Sequence, residues 1–159
     1  MLFVAIQSIL RNLASCPAGS LLLASLWFAA PAFAQGKFIS FDAPGSVHGT
    51  DPTSINGFGV IAGFYWDAHY LPHGFVRTAL GAITSFDPSS LGYGTFPSGI
   101  NAAGIIAGSY YDANFVFHGF TRTSRGALTS FDPPGSVGTY ALGINAAGAI
   151  TGYLFRRNH

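Results

Sequence analysis

Short apolar runs, each bounded by turn-forming Gly, Pro, Asn or Asp, recur along the chain from residue 36 to residue 155. One run ends in Ser-Phe-Asp, a second ends in Ile-Asn, a third has Gly at its centre, and a fourth begins with His-Gly-Phe. The first kind lies at residues 36–42, 81–87 and 126–132, the third at 60–65, 105–110 and 149–154, and the fourth at 73–77 and 118–122. Runs of this length, rich in Phe, Tyr, Ile, Val and Thr, predict β-strands. No helical periodicity follows residue 34.

The spacing of these runs is regular. Ser-Phe-Asp ends at Asp42, Asp87 and Asp132, two steps of 45 residues, and Ile-Asn ends at Asn56, Asn101 and Asn145, steps of 45 and 44 residues. Regular self-similarity indicates that each copy is one supersecondary unit, which buries its apolar face against the next copy. Four short strands fit in each repeat.

The predicted fold is therefore all-β, with repeated four-stranded antiparallel sheets after an N-terminal signal helix. Repeats cover approximately residues 43–87 and 88–132, with a partial one at 133–159. Sheets of this size are typical of propeller blades, but about two and a half blades cannot close a ring that needs about four or more. Three explanations stay open: an open stack with edges prone to self-association, a ring completed by several chains, or a truncated fragment.

Two kinds of residue recur at fixed places in the repeat. Asn56, Asn101 and Asn145 begin tight turns in which Asn can bond its own backbone and a glycine three residues later takes positive φ. Gly63, Gly108 and Gly152 lie inside predicted strands, where glycine indicates a bulge or the close approach of another backbone.

Residues 1–34 are expected to be a signal peptide. An apolar run at residues 19–30 follows Arg11, and Ala-Phe-Ala at residues 32–34 fits the small-x-small cleavage rule. Cleavage after Ala34 would leave residues 35–159 as one repeat domain, secreted to the periplasm or outside the cell. It would also remove Cys16, the one cysteine, so packing alone would hold the fold.

Two other interpretations of the leader are less favoured. A retained transmembrane helix needs about 20 continuous apolar residues, and Pro31 interrupts the run. The segment Leu-Ala-Ser-Cys at residues 13–16 resembles a lipidation box, but lipidation of Cys16 would leave an apolar run directly after the anchor.

Composition excludes some functions. Charged residues make up 8% of the chain, against about 25% in an average globular protein. A nucleic-acid partner is not expected, because its binding needs clustered Lys and Arg, whereas this chain has a single Lys and scattered Arg.

Asp and His also recur in register, and we interpret them as structural. Asp67 precedes His73 by six residues, and Asp112 precedes His118 by six residues. An Asp can orient a His for base catalysis, but a pair copied in each complete repeat is more typical of a stabilising hydrogen bond. The repeated Asp42, Asp87 and Asp132 precede Pro-containing turns, where a carboxylate can accept backbone N–H groups.

Metal and cofactor binding are not expected. The spacing of His69 and His73 would suit a zinc site on a helix, whereas this region is predicted to be strand and turn. The six acidic residues are all Asp and are spread too thinly for a calcium site. They also provide no convincing carboxylate pair for a glycosidase, because only Asp51 falls outside the repeat register.

A specific site is expected where the repeats differ. His48, Asp51, Trp66 and His69 align with Tyr93, Phe96, Tyr111 and Asn114, and Tyr70 lies beside them in the sequence. Aromatic and polar groups in such loops suit stacking on a glycan or docking of a surface protein. The alternative is that these rings fill gaps between sheets.

At these motifs the chain resembles the bacterial extracellular HAF-repeat family. The motifs are His-Gly-Phe at residues 73–75 and 118–120, Phe-Asp-Ala-Pro-Gly at 41–45, Gly-Ile-Asn-Ala-Ala-Gly at 99–104 and Gly-Ser-Tyr-Tyr-Asp at 108–112. The resemblance implies secretion and a propeller-like β fold, and brings no established reaction or catalytic residues.

These observations predict a secreted, non-enzymatic repeat protein that acts as a binding or assembly module. The ligand is unspecified, with glycans and surface proteins as candidate partners. The alternatives are a propeller-type hydrolase or lyase acting on extracellular polysaccharide, and a fragment without independent function.

Overall fold

The computed structural model describes residues 38–88 and 93–157, and in these ranges it contains ten β-strands and no helix. The expected signal helix and the Ala34 cleavage site lie outside the described residues. Within them, no helix has the length and apolar character that a membrane span requires.

The strands form three antiparallel sheets, and none of the three is closed. Sheet 1 contains β1 (Thr50–Ile55), β2 (Ile61–Trp66), β3 (Pro72–Arg77) and β4 (Ile83–Phe86) in that order. Sheet 2 contains β5 (Thr95–Ile100), β6 (Ile106–Tyr111), β7 (Phe117–Arg122) and β8 (Leu128–Phe131). Sheet 3 contains β9 (Ser136–Ile144) and β10 (Ile150–Arg156). The predictions of an all-β chain and of four strands per repeat are confirmed.

The turn between the first two strands of each sheet has the predicted chemistry. In sheet 1, Asn56 Oδ1 accepts the backbone N–H groups of Phe58 and Val60. Gly59 then takes φ 74°, and Gly104 and Gly148 take φ 76° and 85° in the other two turns. A residue with a side chain is strained at these angles, so glycine is favoured at the turn closure.

The glycine inside the second strand of each sheet lies against a neighbouring backbone, as predicted. A Cβ on Gly108 would lie 2.3 Å from the carbonyl oxygen of Phe96 on β5. The β5–β6 register shifts at this point, between Pro97 and Gly99. The bulge brings the two strands too close for any side chain.

The core lies within and between the sheets. Phe75 and Phe120, from the two His-Gly-Phe segments, are both fully buried. The sheets pack against one another in succession, and their first strands, β1, β5 and β9, are in contact from one sheet to the next. Each repeat thus covers an apolar face of its neighbour.

One predicted strand is wrong in its described part. Residues 38–42 are not a strand, although their copies form β4 and β8. Each of those fourth strands pairs with its own His-Gly-Phe strand. Within residues 38–88 and 93–157, no His-Gly-Phe strand lies beside residues 38–42 to complete their hydrogen bonds.

Candidate functional site

One end of the sheets collects most of the polar and aromatic side chains, and we call it the loop end. Because neighbouring strands are antiparallel, the start of β1, the end of β2 and the start of β3 meet there. In the β2–β3 loop, Asp67 Oδ1 accepts the N–H groups of His69 at 2.7 Å and Leu71 at 2.9 Å. The bond from Leu71 is the main reason that the pKa of Asp67 falls to about 2.

The first His-Gly-Phe segment contributes a histidine held between two carboxylates. His73 Nδ1 lies 2.8 Å from Asp87 Oδ2, and its Nε2 lies 3.5 Å from Asp67 Oδ2. The other oxygen of Asp87 accepts the Thr95 hydroxyl at 2.5 Å. Since Thr95 begins the first strand of sheet 2, Asp87 fastens one sheet to the next.

The same arrangement recurs one repeat later. His118 Nδ1 lies 2.6 Å from Asp132 Oδ2, and its Nε2 lies 3.5 Å from Asp112 Oδ2. Asp132 Oδ1 accepts the hydroxyl of Thr139 on β9 at 2.5 Å. The bonds to Asp132 thus come from side chains of both sheets, and the duplicated geometry gives neither histidine a distinctive environment.

The electrostatics of the two histidines are also alike. Partial burial lowers the pKa of His73, but hydrogen bonds and charge from Asp87 and Asp67 outweigh it, so the pKa is raised above 6.5. The pKa of His118 is raised in the same way by Asp132 and Asp112. The protonated form of each histidine is therefore stabilised by its two carboxylates.

Asp42 stands apart from its two copies. None of the hydrogen bonds among the described residues reaches its carboxylate. The residue in phase with Thr95 is Thr50, and its hydroxyl accepts the backbone N–H of Ala43 at 3.0 Å instead. In the part of the chain that the structure describes, no His-Gly-Phe strand lies beside Asp42.

The three repeated asparagines link the sheets at the opposite end. Asn56 Nδ2 donates to the backbone oxygen of Asn101 at 3.1 Å, and Asn101 Nδ2 donates to that of Asn145 at 3.2 Å. Each asparagine also closes its own turn through Oδ1. One side chain therefore serves both local and inter-sheet structure.

The unrepeated residues form two contacts at the loop end of sheet 1. His48 stacks on Tyr70, with ring centroids 3.7 Å apart. Trp66 Nε1 donates to Asp51 Oδ2 at 3.0 Å. The backbone N–H of His48 donates to the Trp66 carbonyl, which places the two contacts side by side.

His69 remains at the margin of this group. Its side chain is 83% exposed, and its Nδ1 lies 3.6 Å from Asp67 Oδ2. His73 approaches the same carboxylate oxygen. In residues 38–88 and 93–157, no cluster of three or more His, Cys, Asp or Glu residues could hold a metal ion.

Sequence reasoning missed a row of aromatic rings along the loop end, which we call the aromatic strip. Phe96 of sheet 2 lies 6.5 Å from Trp66 of sheet 1 and 6.0 Å from Phe117. Phe117 in turn lies 4.0 Å from Tyr140 of sheet 3. The strip comprises Trp66, Phe96, Tyr111, Phe117, Tyr140, Tyr153 and Phe155. Its members are partly or largely exposed, Tyr153 at 49% and Phe155 at 55%.

Signals for the missed residues are present in the repeat. Thr50, Thr95 and Thr139 are in phase, at steps of 45 and 44 residues. Phe96 and Tyr140 occupy the phase of Asp51, so this position changes from acidic to aromatic along the stack. The alignment of Asp51 with Phe96 already contains part of this signal, and its extension to the third repeat adds Thr139 and Tyr140.

When the chain is compared with known proteins, no family model, curated protein or solved structure matches it. The resemblance to the HAF-repeat family therefore stays a prediction from the motifs themselves.

Proposed function

We propose that the protein is an exported, non-enzymatic binding module that contacts its ligand through the aromatic strip. The observation that carries this proposal is the continuity of the strip across all three sheets, with partly exposed rings along it. Tyr153 and Phe155 are 49% and 55% exposed, and the other five rings are partly exposed. Exposed ring faces beside polar loops suit stacking on sugars, so a glycan is the first candidate ligand.

The repeated histidines support a structural assignment over a catalytic one. Each binds a carboxylate that also accepts a threonine from the next sheet, as Asp87 does with His73 and Thr95. Such a carboxylate is fully engaged in holding two sheets together.

We also propose that the stack is an incomplete, propeller-like arrangement of HAF-type repeats. In a propeller the first strands of successive blades line a common axis. The contacts between β1 and β5 and between β5 and β9 support this arrangement.

The binding proposal is tested on a glycan array with the wild-type protein and the strip variants Trp66→Ala, Tyr153→Ala and Phe155→Ala. Phe58→Ala is the matched control, because Phe58 is an aromatic residue with 72% exposure in the β1–β2 turn, at the opposite end. We expect glycan signals that the strip variants lose and the control keeps. Absence of binding, or equal loss in the control, would contradict the proposal.

A polysaccharide hydrolase or lyase is the second candidate, favoured by one observation. The Trp66 indole N–H donates a hydrogen bond to Asp51, and the backbone N–H of His48 donates to the Trp66 carbonyl, so all three residues lie together. Its test is cleavage of polysaccharide substrates by the wild-type protein and loss of that activity in Asp51→Asn.

A further inference from the structure

Sheet 3 has two strands where sheets 1 and 2 have four, and a groove of about 260 Å³ lies beside it. The groove is bounded by Phe131 at the end of β8 and by Gly152 on β10. Ala141, Ile150 and Leu154 contribute to its apolar wall, together with Pro133, Tyr140 and Tyr153.

The corresponding space in each earlier repeat is filled by a phenylalanine of a third strand. In sheet 1, Phe75 packs edge-on against Phe41 at 6.0 Å, and a Cβ on Gly63 would lie 2.9 Å from its ring. In sheet 2 the corresponding residues are Phe120, Phe86 at 5.9 Å and Gly108 at 2.8 Å. Phe131 and Gly152 are the next members of these two series, so the groove is shaped for a phenylalanine side chain.

An arginine accompanies this phenylalanine in both complete sheets. The Arg77 guanidinium lies 4.7 Å from the Phe41 ring centroid, and Arg122 lies 4.8 Å from that of Phe86. Each arginine is two residues after the buried phenylalanine in its strand. No described cation stacks on the next ring of the series, Phe131.

The edge of β10 can pair with a third strand in the register that β3 and β7 use. Gly63 is paired with Phe75 and Gly108 with Phe120, so the shared register sets an incoming phenylalanine opposite Gly152. Ala107, Gly108 and Ser109 of β6 are buried under their neighbours, whereas the residues in phase with them on β10 are exposed. An edge strand with free N–H and C=O groups accepts an extended peptide by β-augmentation.

The residue that faces the third-strand histidine is acidic in the first two repeats, but the third repeat has an arginine at that position. Asp112 interacts with the histidine of the third strand in sheet 2. The residue in phase with Asp112 in the third repeat is Arg156. An incoming segment thus meets a cation where the earlier repeats provide an acid, which favours an acidic residue in the place of histidine.

We propose that β10 and this groove bind an extended polypeptide segment with the pattern acidic-Gly-Phe-x-Arg, which adds a third strand to sheet 3. Both His-Gly-Phe segments of the sequence are already used in β3 and β7. Tyr140 and Tyr153 of the aromatic strip also line the groove, but the phenylalanine would enter on the side of β10 that faces β8.

The test is binding of a fluorescently labelled peptide, Leu-Pro-Asp-Gly-Phe-Val-Arg-Thr, to the purified protein by anisotropy. This is the sequence of residues 71–78 with Asp in place of His73. We expect saturable binding, and binding about 30-fold weaker after Phe→Ala in the peptide, as for loss of a buried aromatic anchor. The peptide with His in place of Asp is expected to bind more weakly at pH 7, by a factor that falls with added salt.

A protein variant complements the peptide series. Phe131→Ala should weaken binding, while Phe58→Ala, far from the groove, should leave it unchanged. If Phe131→Ala fails to fold, the Phe→Ala peptide still decides. The proposal would be overturned if the Asp peptide and its Phe→Ala version bound equally well, or if the Asp peptide did not bind at millimolar concentration. A dimer seen by sedimentation that Phe131→Ala abolishes and the peptide does not displace would assign the groove to a second copy instead.

Discussion

The imidazole of His73 lies between Asp87 and Asp67, with its Nδ1 atom 2.8 Å from Asp87 Oδ2. His118 has the same relationship to Asp132 and Asp112. Since both carboxylates of each set favour the imidazolium, protonation and folding are linked at two sites in the stack.

Stability should depend on pH with an optimum between about pH 4 and pH 6.5. The pKa of both histidines is raised above 6.5 in the fold, so their contribution is full below 6.5 and is lost as the pH rises through the folded pKa. The pKa of Asp67 is lowered from 3.8 to about 2, so its contribution is full above 3.8 and is lost as the pH falls toward 2. Urea unfolding across this range measures both limbs. In a His73→Gln/His118→Gln double variant the decline above pH 6.5 should disappear, and its persistence would refute the assignment.

Removal of the central asparagine should destabilise the stack more than removal of the last one. Asn101 is buried, closes its turn and donates to Asn145. Asn101→Ala should lower the free energy of unfolding by about 1–3 kcal/mol, the usual effect of orphaning buried partners. Asn145 is exposed, and among the described residues its side chain makes only its turn bond, so Asn145→Ala should cost less. Equal losses in thermal unfolding would argue against an inter-sheet role.

Gly108→Ala should be poorly tolerated. The added Cβ would lie 2.3 Å from the Phe96 carbonyl oxygen and 2.8 Å from the Phe120 ring. Because the Phe96 carbonyl belongs to the backbone, it cannot move aside without strain. We therefore expect the free energy of unfolding, measured with denaturant, to fall by about 1–3 kcal/mol or more. Gly57→Ala is the control, because nothing lies within 4 Å of its Cβ position. That variant should stay within about 0.5 kcal/mol of the wild type.

We propose that the protein is exported and cleaved after Ala34, so the mature chain should begin at Gln35. Residues 32–34 fit the cleavage rule for a signal peptidase. N-terminal sequencing or intact mass of the protein recovered from a bacterial host checks this expectation. An uncleaved chain, or one lipidated at Cys16, would require a different account of its destination.

The sequence is informative about the fold because the local signals are self-sufficient. Asn56 and Gly59 form a turn through the side-chain hydrogen bonds of Asn and the φ preference of Gly. The same two residue types recur in each repeat, so the same turn is predicted there. Residues 38–42 show the limit of such inference. Their composition matches β4 and β8, but a strand exists only where a neighbour accepts its hydrogen bonds.

The site was harder to predict, because it depends on contacts between repeats. The hydroxyl of Thr95 reaches Asp87 only once sheet 2 has packed on sheet 1. The rings of Trp66, Phe96 and Tyr140 come from three sheets and from different phases of the repeat. No local pattern brings these three side chains together, and only the packing of the sheets reveals the strip.

The threonine–aspartate hydrogen bond between successive sheets also affects how such a chain can change in length. The unit at residues 88–132 carries both parts, because Thr95 donates to Asp87 of the unit before it and Asp132 accepts from Thr139 after it. Tandem duplication of one unit would therefore create a new junction with chemistry already in place. Growth or shrinkage by whole units should be an accessible evolutionary step, while insertions that break the phase should not.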